Sequence, residues 1–194
     1  MQGCIVSVQV GTSRFLRVGE RTLRSAIRKQ PLVGPVAVGP LGLAGDEQND
    51  PSVHGGLSKA VYALPHQHLA WWSARRMAVG ASLFDEAIEP GQLGENLSLT
   101  GVDESSVYLG DRLHFKGGVV LRVTEPRQPC AKFNAVLGYD HAGKDMVQSG
   151  HCGFYLAVEV PGDLTAGEAF ALEAGARQTS IAQALKHKAF KHLR

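Results

Sequence analysis

Between Asn96 and Glu125 the chain reads NLSLT, RLHFK and VVLRVTE, three short runs that mix apolar and polar residues at close spacing and are set apart by glycine turns. Successive side chains of a strand point to opposite faces, so period-two alternation predicts short strands with one buried face each. In the third run Val119, Leu121 and Val123 form one face, against Val120, Arg122 and Thr124. Lys116-Gly117-Gly118, between the second and third runs, suits a hairpin. Glycine makes up 23 of 194 residues, roughly 12% against a usual ~7%, and favours many turns and hence many short strands.

Further strands are expected at CIVSVQV, SKAVYAL, CGFYLAVEV and EAFALEA. PLVGPVAVGPLGLAG suits a bent edge or barrel strand. It runs into Asp46, Glu47 and Asp50, read as a solvated loop because the glycine and spacing of a calcium loop are missing. Many short strands with few helices predict a mainly β fold, a closed or partly closed barrel with a few peripheral helices.

Two stretches have helical spacing. PHQHLAWWSARRMA opens on Pro65 and sets Leu69, Trp72 and Arg76 on one face. Its His66 and His68 are two apart, point different ways on a helix and make a poor metal pair. TSIAQALKHKAFKHLR begins with Ser180 three residues before Gln183, a capping box, and spaces Ile181, Leu185, Ala189 and Leu193 by four. Residues 1–175 are therefore assigned to the barrel domain, and 176–194 to an amphipathic helix packed on or beside it.

With 44% hydrophobic and 20% charged residues the composition is that of an ordinary globular domain, and a net charge of +2 gives no global case for a nucleic-acid polymer. No run approaches the ~18 apolar residues of a membrane span. Cys4, Cys130 and Cys152 are odd in number with no CxxC pair, and the N-terminus lacks a basic segment followed by an apolar run, so the reduced cytoplasm is the expected compartment. Cys4, in a β-branched run, is expected to be a packed core thiol.

Cys130 is different. It stands in EPRQPCAKFN, where Pro126 and Pro129 remove backbone donors and predict a stiff loop, while Arg127 and Lys132 supply positive charge. Cationic neighbours favour the thiolate, which attacks electrophiles and binds soft metals, and Arg127 could equally hold a carboxylate or phosphate. In VHGGLSKAVY, two glycines after His54 free the backbone to approach an anion, with Lys59 following. The HGG triplet resembles an esterase oxyanion loop, but the chain has no GxSxG. In PGQLGENLSLTGVD, Glu95 and Asn96 enter a strand from a glycine turn, a position turn chemistry alone would explain.

HGGLSKAVY, GENLSLTGVDESSVYLGDRLHF, VLRVTEPRQPCAKF and SGHCGFYLAVEVPGDLTAGE together resemble the MOSC domain, the module shared with the C-terminal part of molybdenum cofactor sulfurases. Order and spacing match from about Gly3 to Leu172, most closely the bacterial single-domain members that reduce N-hydroxylated bases. The resemblance implies a MOSC-type β-barrel and a pyranopterin dithiolene molybdenum cofactor whose metal is bound by the thiolate matching Cys130. His54, Lys59, Asn96, Arg127 and Lys132 are the cofactor-binding candidates. It also implies a small N-hydroxylated substrate such as a hydroxylaminopurine, and a separate flavin or iron–sulfur electron donor; a homodimer is compatible with it. Two rivals use the same residues: a non-catalytic cofactor carrier or sulfur-transfer module, and a cysteine hydrolase built from Cys130, His54 and Asn96.

Overall fold

The structure, a computed structural model, describes residues 1–49, 55–84 and 86–191. Seven strands close a barrel: β1 (Gln2–Val10), β7 (Val61–Pro65), β8 (Leu97–Thr100), β9 (Arg112–Phe115), β10 (Val120–Pro126), β11 (Phe154–Val160) and β13 (Ala169–Glu173). Around the barrel the order is β13-β9-β10-β11-β7-β8-β1, and β1 pairs with β13 to complete it. The smaller strands are β2 (Arg14–Val18), β3 (Arg21–Ser25), β4 (Gln30–Pro31), β5 (Val36–Gly39), β6 (Gly42–Leu43) and β12 (Gly162–Leu164). Of these β2 and β3 form a separate hairpin, and β12, β5 and β6 a small second sheet.

All barrel neighbours are antiparallel except β7 and β8, where Ala63 faces Leu97 and Pro65 faces Leu99 in parallel register. A parallel pair needs a crossover, and α1 (Gln67–Ala78) provides it. Three more helices follow: α2 (Ala131–Leu137), α3 (Ala142–Ser149) and α4 (Ile181–Lys191).

The alternating runs fold as their period requires. Leu113, Phe115, Leu121 and Val123 are buried, while Arg112, His114, Arg122 and Thr124 stay partly exposed. All five residues of β7 are buried. Trp72 of α1 meets Phe133 of α2 edge to face at 5.0 Å, which joins the two helices through the core. The capping box of α4 closes as expected: Ser180 N–H donates to Gln183 Oε1 (2.9 Å) and Gln183 N–H to Ser180 Oγ (3.2 Å). Ile181 and Leu185 then enter the core.

Cys4 departs from expectation. It is half-buried rather than a core residue, because Ile5 takes the inward position of β1 and the pleat turns its neighbour outward. Cys152 is fully buried.

Candidate functional site

The parallel pair and the end of β10 build one cavity. β10 stops at Pro126, opposite Phe154, because the loop that follows carries a second proline. Arg127 N–H donates to Gly153 C=O (3.3 Å), and Cys130, in extended conformation, caps α2 by accepting from the N–H of Phe133 (3.0 Å) and Asn134 (3.3 Å). The thiol is half-buried and lines the cavity.

Arg127 is the most constrained charge in this wall. Only 3% exposed, its guanidinium lies 4.5 Å from the ring centroid of Phe133 and 5.2 Å from that of Tyr62. Burial works against the charge, yet Tyr62, Cys130, Tyr155 and Glu95 around it outweigh that penalty and raise its pKa. Among the described residues Nη1 has no hydrogen-bond partner. Burial keeps both nearby phenols protonated: the pKa of Tyr155 is pushed up to about 12 and that of Tyr62 lies well above its ordinary value. Tyr62 Oη donates to Cys152 C=O (2.9 Å).

The GEN turn forms the opposite wall. Glu95 folds under it to accept Gly91 N–H (2.6 Å). Asn96 extends the strand ladder with its side chain: Tyr62 N–H donates to Oδ1 (3.1 Å), and Nδ2 donates to Gln9 C=O (3.2 Å) and Asp46 (2.9 Å). Asn96 therefore lines the cavity with its amide already engaged. The Asp46 side chain is 4% exposed and also accepts Gly11 N–H (2.8 Å) and the Lys29 ammonium. The expectation of a solvated acidic loop fails here, because the buried Lys29 and the Gly11 amide both need an acceptor. Asp50 lies outside the described residues.

Lys59 ends a 3₁₀ turn, Leu57–Lys59. Its Nζ is 3.6 Å from Glu125 and 5.8 Å from the centroid of Tyr155. Lys188 of α4 occupies the other oxygen of Glu125 at 2.5 Å. Lys132, in the first turn of α2, also lines the cavity. The structure thus brings Lys59, Asn96, Arg127, Cys130 and Lys132 together from three parts of the chain; His54 lies outside the described residues. Lys29, Tyr62 and Tyr155 were not legible as site residues, since a lysine after a basic run and tyrosines inside strands carry no motif. Behind the site, Glu104 accepts Gly153 N–H (2.6 Å) and His68 Nε2 (2.7 Å), fixing the turn on which Arg127 rests.

Lys29, Lys59, Arg127 and Lys132 face the cavity against two carboxylates, Asp46 and Glu47, so its field favours anions. Its interior, about 90 Å³, admits a phosphate-sized group, and anything larger must extend into the open mouth. Among the described residues no three His, Cys, Asp or Glu side chains could hold a metal together. The donor set of one thiol, an unpartnered buried guanidinium N–H and three lysines therefore suits an anionic cofactor that brings most of its metal's ligands with it.

Residues 50–171 match the MOSC domain. The chain belongs to the MOSC family. The match contains Cys130, Arg127 and the GEN turn, and the family is associated with molybdenum-cofactor binding. The chain is 37% identical to Protein YiiM of Escherichia coli (strain K12) over 142 residues, 73% of this MOSC protein and 61% of that one. It is 32% identical to a protein of Gibberella moniliformis named Reductase over 170 residues, 88% of this chain and 29% of that one. Thus it spans less than two thirds of either relative. The crystal structure of YiiM from Geobacillus stearothermophilus superposes with a TM-score of 0.75 at 30% identity, covering 98% of this chain and 85% of that one. That of YiiM from Escherichia coli gives 0.71 at 26% identity, covering 95% and 76%. No described helix is long and apolar enough to cross a membrane.

Proposed function

We propose that this MOSC protein reduces N-hydroxylated compounds of the hydroxylaminopurine class, with a molybdenum cofactor held at Cys130 and electrons from a separate flavin or iron–sulfur protein. The reaction balances as R–NHOH plus two electrons and two protons giving R–NH2 and water. When bound, the cofactor supplies the two-electron chemistry that removes oxygen from nitrogen.

The chain's residues have simpler tasks. Cys130 offers a thiolate ligand at the cavity. Arg127 offers the unpartnered Nη1 to an anionic oxygen, and its place between two rings fixes the direction of that bond. Lys59 and Lys132 add positive charge near the mouth, and Lys29, held by Asp46, adds it deeper. Tyr155 keeps its proton and so adds no competing charge. The observation that carries the reading is the buried, unpartnered Arg127 Nη1 in the same cavity as Cys130.

The test combines molybdenum and pterin analysis of gently purified protein with turnover of a hydroxylaminopurine by a chemical reductant. Cys130→Ala should keep the fold, lose metal and lose turnover. Cys130→Ser should retain little, a hydroxyl being a harder and far less acidic ligand. An Ala variant reducing substrate at the parent rate would refute the assignment.

A further inference from the structure

We propose that the β2–β3 hairpin is the docking surface for an acidic electron-donor protein. The proposal rests on the reductase reading, which requires a donor, and says where it binds and by what chemistry.

Residues 14–28 hold five arginines, Arg14, Arg17, Arg21, Arg24 and Arg28, and one acid, Glu20, although the whole chain carries only +2. All five are exposed, and among the described residues none pairs with a carboxylate. Two make hydrogen bonds that leave the charge uncompensated, Arg17 to Gly19 C=O (3.2 Å) and Arg24 to Ser13 Oγ (3.1 Å). Charges on an open hairpin often serve only to discourage edge pairing. That role does not account for Phe15, which is 80% exposed and paired in register with Arg24, or for a run of arginines so little balanced by acid. Arginines around an exposed aromatic are what a protein interface is enriched in.

The hairpin is also joined to the site. β3 ends at Ser25, and Ser25, Ala26 and Ile27 continue as part of the Cys130 cavity wall. β2 packs on α2, the helix that Cys130 caps. At about 3.3 Å per residue, Arg21 stands roughly 13 Å along the strand from Ser25. A protein seated on the hairpin therefore lies beside the reaction centre, as electron transfer requires. Opposite charge at a rim chiefly speeds encounter and makes it sensitive to salt. The hairpin lies before residue 50, where the match to the MOSC domain begins.

The probes are a flavodoxin and a [2Fe–2S] ferredoxin, both acidic, titrated into the full-length protein by calorimetry at low and high ionic strength. Binding is expected at low salt and should fade as salt rises. The triple variant Arg17→Glu/Arg21→Glu/Arg24→Glu should bind at least about tenfold more weakly. Arg21→Glu alone, at the hairpin tip, should shift affinity the same way by less, and Lys116→Glu/Lys186→Glu should leave it unchanged. In cofactor-loaded protein the triple variant should raise KM for the carrier while turnover with a reduced viologen stays at the parent value. The proposal is overturned if the triple variant binds both carriers as tightly as the parent does, or if a single-stranded oligonucleotide binds the parent more tightly than either carrier. Absence of viologen-driven turnover in the parent would sink the reaction instead, because calorimetry judges the surface without it.

Discussion

Glu95 allows a quantitative test. It is fully buried: one carboxylate oxygen accepts Gly91 N–H at 2.6 Å and the other has no partner among the described residues. Burial raises its pKa from 4.5 to about 7, against the opposing pull of the turn's N–H groups and Arg127. The folded carboxyl thus keeps its proton at a pH where the unfolded one has lost it. Between 4.5 and 7 the native state binds more protons than the unfolded state, so stability falls as pH rises through this window, and the loss is complete above about 7. At 1.36 kcal/mol per unit the loss is about 3 kcal/mol. Glu95→Gln keeps the shape and the acceptor for Gly91 but cannot ionise. Urea unfolding of both proteins from about pH 4 to about pH 8 should show the two curves converging at the acid end. By about pH 8 the variant should lead by about 3 kcal/mol, roughly 10 °C in Tm. A stability difference that does not change across this range, or a less stable variant at about pH 8, would refute the reasoning.

Arg127→Met should separate stability from binding: a buried guanidinium with no ion-pair partner among the described residues gives way to an apolar side chain, so Tm should hold or rise. Cofactor affinity should fall by about 2 kcal/mol, roughly thirtyfold, measured as pterin retained through dialysis. Gly153→Ala should be costly, because φ is +66° and an added Cβ would lie 2.3 Å from Ala63 C=O. A loss of about 3 kcal/mol, read from urea unfolding, is expected, with pterin retention falling too because Gly153 C=O holds the Arg127 backbone.

The barrel strands, the α4 cap and the Cys130 loop were legible because each follows from local chemistry. Alternation assigns strand faces, Ser180 and Gln183 satisfy each other within one turn, and two prolines stiffen a segment wherever it lies. Glu95 and Asn96 were visible as a turn, but their roles under it and across to Tyr62 were not. Tertiary structure alone decided that Lys29 and Asp46 meet Asn96 in the cavity wall, since these contacts join residues 17 to 50 positions apart. It also decided the electrostatics. Arg127 reads in sequence as an ordinary loop cation and becomes a buried, aromatic-clamped donor only when β7, α2 and the Gly153 turn close around it. A side chain's chemistry is fixed by its identity, whereas its field, burial and unpaired valences are properties of the neighbours that the closed barrel brings to it.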